Sequence, residues 1–226
     1  MASEAVDNYL KAIFQIAGGD HRATTAALAE KLKVAPASVT GMLKKLSEAT
    51  PPWIDYQKHH GARLTGHGRA RALEMIRHHR LIELFLHTVL GYGWDEVHAE
   101  AERLEHAISE TFEDRIAKVL GDPEFDPHGH PIPHRDGTIP KRSDSSLVNM
   151  EPGTKAIVSR VSDHDSEMLQ YLSSIGVKPE TRIHLIERGP FDGPLMLRVD
   201  DGTKVHAFGR RLAAAIRVRA AGNDES

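Results

Sequence analysis

Apolar residues recur at helical spacing through the first 120 residues and at strand spacing from about residue 147 onward. Residues 3–17 carry an apolar stripe that predicts the first helix. Two shorter helices are predicted next, because Thr24 or Thr25 can cap the first of them and Pro36 suits the first turn of the second. Two short helices joined by a tight link indicate a helix-turn-helix.

A β-hairpin is predicted directly after these two helices. Two short β-prone runs, residues 53–57 and 62–65, flank a tip with the sequence Lys-His-His-Gly. A helix-turn-helix followed by a hairpin with a basic tip is the order of elements in a winged helix. A small helical domain that carries a hairpin for other reasons has the same pattern, so both interpretations stay open at this point.

The rest of the chain has three longer helical patterns, then a linker, and then apolar residues at strand spacing. Residues 68–90, 94–106 and 108–120 each predict a helix. Residues 121–146 are rich in Pro, His, Gly and Ser and predict a linker that is long enough to be mobile. Beyond this linker, about four or five β-like runs, a short helical piece and an Asp-Gly turn at 201–202 predict a small β-barrel.

Composition limits the class of protein and the kind of site. A chain of 226 residues that is 40% hydrophobic can bury a sizeable core in one to three domains. No apolar run approaches the roughly 20 residues of a membrane span, so we expect a cytoplasmic protein without a membrane partner. The chain has no cysteine but 15 histidines, so any metal ion must be held by nitrogen and oxygen ligands.

Positive charge is concentrated in the predicted winged helix. Through Glu74 the chain has ten Lys and Arg against seven Asp and Glu, while the remainder has 19 against 25. A basic N-terminal part before an acidic remainder favours a nucleic-acid partner for the winged helix, although the imbalance is small.

Histidines and carboxylates gather in the segment WDEVHAEAERLEH, residues 94–106. On a helix with about 100° per residue, His98, Glu102, Glu105 and His106 share one face. The preceding helix offers one further His/Glu pair at i, i+4, residues 79 and 83. Side chains of this kind on two neighbouring helices can form a metal site, because a divalent cation relieves the repulsion between the carboxylates. A solvated face of ion pairs is the alternative.

Catalytic motifs are absent from the sequence. There is no His-Glu-x-x-His, no glycine-rich phosphate loop, no nucleophile elbow and no cysteine nucleophile, so we predict that the protein is not an enzyme. Two other functions remain open at this stage. One is a metal-dependent hydrolase or metal-storage protein with a helical His/Glu site, and the other is a winged-helix repressor with a small-molecule effector and an incidental metal.

Three segments resemble the signature segments of the diphtheria toxin repressor family of metal-dependent transcriptional repressors. They are RHHRLIELFL at 77–86, WDEVHAEAERLEH at 94–106 and DPHGHPIP at 126–133. The resemblance covers nearly the whole chain, and the last 75 residues resemble the family's SH3-like domain. It implies a mainly α protein with small β parts: a winged helix-turn-helix at 1–75, a helical metal-binding and dimerisation domain at 76–140, and an SH3-like (FeoA-like) β-barrel at 147–226.

The resemblance also implies which residues bind metal. It assigns the ancillary site to His79, Glu83 and His98, and the primary regulatory site to Glu102, Glu105, His106 and Asn8. Manganese-responsive members tend to have Asp where this chain has Asn8, so Asp7 is an alternative ligand. Further candidates for the ancillary site are Asp126, His128, His164 and Glu167.

The function implied by the resemblance is a homodimeric repressor that binds palindromic operator DNA. Mn(II) is the expected corepressor, Fe(II) is the alternative, and other divalent transition metals are expected to bind in vitro. The regulated genes would be those for metal uptake. The positions expected to face DNA are Thr25, Ala35, Ala37, Ser38, Thr40, Gly41, Lys44, Lys45 and Arg63.

Overall fold

The computed structural model describes residues 3–18 and 21–221, and these residues divide into two compact units. The first unit contains the chain up to His79 together with residues 105–108 and 133–138. The second contains residues 80–104, 109–132 and everything described from Ile139 onward. None of the described helices is long and apolar enough to cross a membrane.

The first unit begins with three helices and a hairpin. These are α1 (Glu4–Ala17), α2 (Thr25–Leu32), α3 (Pro36–Glu48), β1 (Ile54–Gln57) and β2 (Gly61–Leu64), followed by the start of α4 (Gly66–Thr88). The Thr24 side chain accepts the Ala27 N–H at the start of α2, and Pro36 occupies the first turn of α3. Leu28 and Leu43 are fully buried between these helices, so the predicted helix-turn-helix is confirmed.

The hairpin is fixed to the helices by one close approach of the backbone. β1 and β2 pair antiparallel, with Gln57 opposite Gly61 across the tip, and Ala23 pairs with Ala62 through two backbone hydrogen bonds. Gly61 has φ +92°, and a Cβ there would lie 2.3 Å from the Ala23 carbonyl oxygen. Only glycine allows this contact, which completes the winged-helix arrangement.

The helical part of the second unit is built from the rest of α4 with α5 (Val97–Leu104) and α6 (Glu110–Val119). Leu81, Ile116 and Ile132 are buried together as a small core. The prediction of one helix over 94–106 was wrong at its end, because α5 stops at Leu104 and residues 105–107 form a turn. Glu105 and His106 therefore do not share the helical face of His98.

The predicted mobile linker is held by specific contacts. Asp126 Oδ1 accepts the backbone N–H groups of His128 and His130 at 2.8 and 2.9 Å, and the His128 carbonyl accepts the Val161 N–H. Gly129 packs so closely that a Cβ there would lie 2.1 Å from the Ser159 carbonyl. The sequence did not predict this ordered segment, because it is held by buried polar groups and these follow no hydrophobic period.

The C-terminal part of the second unit is the SH3-like domain. Its elements are β3 (Ser145–Ser146), β4 (Lys155–Val161), α7 (Ser166–Ser174), β5 (Arg182–Arg188), β6 (Leu195–Val199), β7 (Val205–Phe208), α8 (Arg210–Ala214) and β8 (Ile216–Ala220). The six strands pair in the order β3-β8-β4-β5-β6-β7, and every pairing is antiparallel. The predicted strands, the hairpin around Asp201 and the short helix are thereby confirmed.

Candidate metal centres and DNA-binding surface

Glu105 is the best-buried of the expected metal ligands in the first unit. Lys11 Nζ, on α1, donates to both of its carboxylate oxygens at 2.8 and 2.7 Å. His79 Nδ1 lies 2.5 Å from Glu105 Oε2, and His78 Nδ1 lies 3.2 Å from the Glu105 backbone oxygen. His79, assigned to the ancillary site by the resemblance, is therefore bound to a residue of the expected primary site.

The charge state of Glu105 follows from these neighbours. Burial acts to raise its pKa, but the hydrogen bond from His79 and the positive charges of His79 and Lys11 outweigh burial. The pKa of Glu105 therefore lies below its usual value, and the carboxylate is ionised at neutral pH. An ionised, buried carboxylate can bind a cation as soon as its present partners move.

Asn8 and Asp7, the two alternatives for completing this centre, both lie near His106 but differ in their hydrogen bonds. Asn8 Oδ1 lies 3.0 Å from His106 Nε2. Asp7 is buried and accepts two hydrogen bonds from Arg71, at 2.7 and 2.8 Å, a fork that fixes both carboxylate oxygens. The structure thus brings Asn8 within hydrogen-bond distance of His106, while Asp7 Oδ2 lies 3.8 Å from His106 Nδ1 and is held by Arg71.

A second cluster of possible ligands lies within the second unit. His98 Nδ1 is 3.0 Å from Glu83 Oε1 and 3.7 Å from Asp163 Oδ2, and ligand atoms of these three residues lie within 4.8 Å of one another. Asp163 lies in the loop after β4, so the SH3-like domain contributes a carboxylate to α4 and α5. Glu102 is exposed, and its carboxylate lies 4.0 Å from His98 Nε2.

Asp126 and His128 extend the same cluster, since ligand atoms of Glu83, Asp126 and His128 also lie within 4.8 Å of one another. His128 Nε2 donates to the Trp94 carbonyl at 2.9 Å, while His128 Nδ1 is buried without a hydrogen-bond partner among the described residues. In a neutral imidazole with this tautomer, Nδ1 carries a lone pair. A buried lone pair beside two carboxylates is what a divalent cation requires, so these residues fit a metal ion.

Electrostatics in this cluster are strongly coupled. Burial opposes ionisation of Asp163, but the charges of His130, His164 and His98 lower its pKa to about 2. Burial likewise opposes protonation of His130, but Asp126 and Asp163 raise its pKa above the usual value. Protonated His130 and the carboxylates of Asp126 and Asp163 therefore stabilise one another.

Two important residues were missed by the sequence analysis. Asp163 contributes to the cluster where His164 and Glu167 were expected; His164 lies 3.1 Å from Asp163 Oδ1, and Glu167 is exposed at the start of α7. Lys11 was missed because a lysine is not a metal ligand. The signal for Asp163 was the run Asp-His-Asp at 163–165, which follows a predicted strand directly.

The residues expected to face DNA lie at the surface of the first unit. In α3 and the preceding turn, Ala35, Ala37, Ser38, Gly41, Lys44 and Lys45 are exposed, and Thr40 and Thr25 are partly exposed. Arg63 is exposed on β2 and forms an ion pair with Asp55 at 2.9 Å. Arg22 and Arg63 lower the pKa of Asp55, the Arg22 hydrogen bond most strongly, so this carboxylate on β1 bridges two arginines.

Family comparisons match almost the entire chain. The N-terminal DNA-binding domain of iron-dependent repressors matches residues 1–62, and their metal-binding and dimerisation domain matches residues 65–134. A FeoA domain matches residues 145–220. These domain assignments support the winged-helix, helical and SH3-like parts of the expected fold.

Curated relatives and solved structures agree with this result. The iron-dependent repressor IdeR of Mycobacterium tuberculosis is 31% identical over 202 residues, covering 84% of this chain and 86% of the relative. The diphtheria toxin repressor of Corynebacterium diphtheriae is 29% identical, covering 68% of this chain and 66% of the relative. A manganese-dependent transcriptional repressor in complex with manganese has a TM-score of 0.86 and 37% identity, covering 96% of this chain and all of that structure.

Proposed function

The chain belongs to the family of iron-dependent repressors, and from this premise we propose that it represses transcription in response to Mn(II). The family consists of DNA-binding, metal-dependent repressors rather than enzymes. Solved relatives include a repressor crystallised with manganese and the repressor ScaR with bound Cd(II) or Zn(II). The choice of metal by this chain therefore depends on its own ligands.

One observation supports manganese most directly: every candidate ligand is a carboxylate, an amide or an imidazole, and the chain has no cysteine. Oxygen-rich sites suit Mn(II), whereas thiolate and thioether ligands favour softer ions. Fe(II) is the alternative corepressor. Intrinsic affinity favours later transition metals, so Zn(II), Co(II) and Ni(II) are expected to bind more tightly in vitro.

The proposed primary centre uses Asn8, Glu105 and His106. The proximity of Asn8 to His106 and the burial of Glu105 support it. Glu102 is the further ligand that the resemblance assigns to this centre. When bound, the ion would link α1, which packs on the helix-turn-helix, to the turn after α5. This link would restrict the motion of the DNA-binding helices and reduce the ordering cost of binding DNA.

The proposed second centre uses Glu83, His98, Asp126, His128 and Asp163. The mutual proximity of their ligand atoms and the buried Nδ1 of His128 support it. Because Asp163 comes from the SH3-like domain, an ion here would stabilise the attachment of that domain to α4 and α5. This centre is therefore proposed to be structural, and the primary centre regulatory.

On DNA, the proposed unit is a homodimer that binds a palindromic operator controlling metal-uptake genes. The small exposed residues at the start of α3 suit methyl contacts with thymine and hydrogen bonds to phosphate. Lys44, Lys45 and Arg63 would add affinity that depends on salt concentration. The surface positions of all these side chains support this assignment.

The test compares ligand variants by metal-activated DNA binding, with an operator selected from random DNA by the wild-type protein and Mn(II). Glu105→Gln and His106→Ala should each weaken binding with Mn(II) by at least tenfold, equivalent to roughly 1.4 kcal/mol of coupling. Glu83→Gln should cause a smaller loss. His79→Ala should resemble Glu105→Gln, because His79 contacts Glu105 directly.

Binding to DNA without metal serves as the internal control, since none of these substitutions touches α2 or α3. Weak metal-free binding should be the same for every variant. Full Mn(II) activation of Glu105→Gln would exclude the proposed regulatory centre. Equal losses for Glu105→Gln and Glu83→Gln would show that the two centres act as one.

A further inference from the structure

A lysine is buried in the proposed primary centre. Lys11 Nζ donates to both oxygens of Glu105, and Lys11 and Glu105 are only 8% and 1% exposed. The two residues are 94 positions apart in the chain, so the contact belongs to the tertiary structure. Lysine is seldom buried unless it is paired, because its ammonium group is strongly hydrated in water. Glu105 therefore compensates the burial of Lys11.

The ammonium group occupies the part of Glu105 that a metal ion would need. A metal ion bound to a carboxylate lies roughly 2.0–2.2 Å from the oxygen and uses one of its lone pairs. Here the two oxygens already accept from Lys11, and Oε2 also lies 2.5 Å from His79 Nδ1. A divalent cation and an ammonium group repel each other at such short separations. Lys11 and a metal ion thus compete for the same carboxylate.

The neighbouring ion pair of Arg71 and Asp7 differs from the pair of Lys11 and Glu105 in how firmly the cation is held. Arg71 holds Asp7 through a planar two-bond fork and also pairs with Glu74 at 2.5 Å, so its position is fixed by two carboxylates. Lysine carries its charge on a flexible stem of four carbons and has no preferred fork geometry. Compared with Arg71, Lys11 is therefore the cation that a bound ion displaces more readily, by rotating the side chain about its flexible stem.

We propose that Lys11 acts as an internal competitor of the metal ion, which holds Glu105 in the metal-free protein and sets the metal concentration at which the repressor responds. This inference rests on the proposed function, since it takes Glu105 as a ligand of the primary centre. Metal binding then includes the cost of moving Lys11 away from a buried partner. The chain thereby responds only to metal concentrations above those that its bare ligands would detect.

The experiment measures Mn(II) affinity by calorimetric titration of metal-free protein. Lys11→Met removes the charge and keeps the length and apolar stem of the side chain, and it should lower the Kd for Mn(II) by about tenfold or more. Lys11→Arg keeps a competing charge and should leave the Kd at or above the wild-type value. Lys204→Met, at an exposed position of the SH3-like domain, controls for the change in net charge and should have no effect.

Thermal unfolding of the same proteins separates competition from a structural role. Lys11→Met should lower the Tm of the metal-free protein, because Glu105 loses a buried partner, and should enlarge the increase in Tm caused by Mn(II). Weaker Mn(II) binding by Lys11→Met, or an unchanged Kd, would show that Lys11 only supports the structure. If Lys11→Met does not fold, Lys11→Gln replaces it with the same expectations.

A Glu105→Gln background distinguishes this inference from the proposed function. If wild type binds Mn(II) no better than Glu105→Gln, the primary centre itself is refuted, and the role of Lys11 with it. If wild type binds better, Lys11→Met should improve affinity in the wild-type background and have little effect in the Glu105→Gln background, because the two residues act on one another. An equal gain in Mn(II) affinity in both backgrounds would refute the competition between Lys11 and the metal ion for Glu105. The proposed primary centre would not be refuted by that result.

Discussion

In both proposed metal centres, buried carboxylates lie next to cationic side chains. At the first centre, Lys11 and His79 contact Glu105, so the carboxylate is ionised and its negative charge is compensated by these neighbours. The second centre has an equivalent balance, in which Asp163 lies among His98, His130 and His164. In the proposed mechanism, exchange of Lys11 for a metal ion at the first centre would set the metal concentration at which the protein responds.

Asp163 allows a test of the second centre at the level of one residue. With a pKa of about 2, its carboxylate is ionised throughout the physiological range. Asp163→Asn should therefore remove a charged ligand and lower the Mn(II) content of the purified protein by about one ion per chain, as measured by elemental analysis. Asp192→Asn, at an exposed turn of the SH3-like domain, is the matched control and should keep full content. Retained content in Asp163→Asn would remove Asp163 from the ligand set.

Helices and strands with a hydrophobic period could be predicted from the sequence. The point at which a helix ends could not be predicted where polar tertiary contacts determine it. The helix-turn-helix, the wing and the strands of the SH3-like domain follow from apolar spacing and turn residues. The end of α5 does not, because Glu105 is drawn to Lys11 and His79, and these tertiary contacts override the helical period. Asp163 was missed for a similar reason, since a loop carboxylate has no period.

The wing provides a test of local structure, because its hairpin depends on one close backbone contact. Gly61→Ala would place a Cβ 2.3 Å from the Ala23 carbonyl at φ +92°, so we expect a loss of about 2 kcal/mol or more in the free energy of unfolding. Gly41→Ala is the matched control, because no atom in the described part of the chain lies within 4 Å of its added Cβ on α3. That variant should gain about 0.5–1 kcal/mol in denaturant titrations. Equal stability of both variants would contradict the close contact.

The proposed function requires that two chains present their α3 helices to one operator. On α6 the apolar residues divide into two groups: Ile116 is buried in the core, while Phe112 and Val119 are 47% and 67% exposed. Exposed apolar side chains on a helix of the matched dimerisation domain favour a symmetric interface, in which the same surface of both chains is buried. We therefore place the dimer contact of the proposed repressor on α6.

Phe112→Lys tests this contact, because a symmetric interface would bring the two introduced charges close together and bury them. We expect the variant to be monomeric in light scattering at micromolar concentration with Mn(II), and to lose affinity for a palindromic operator. Its Mn(II) content should remain, since Phe112 is not a candidate ligand. Phe191→Lys is the matched control, because Phe191 is fully exposed on the SH3-like domain, and this variant should stay dimeric. A dimeric Phe112→Lys variant would locate the interface elsewhere. A monomeric variant that still bound the palindromic operator with wild-type affinity would show that dimerisation does not contribute to operator recognition.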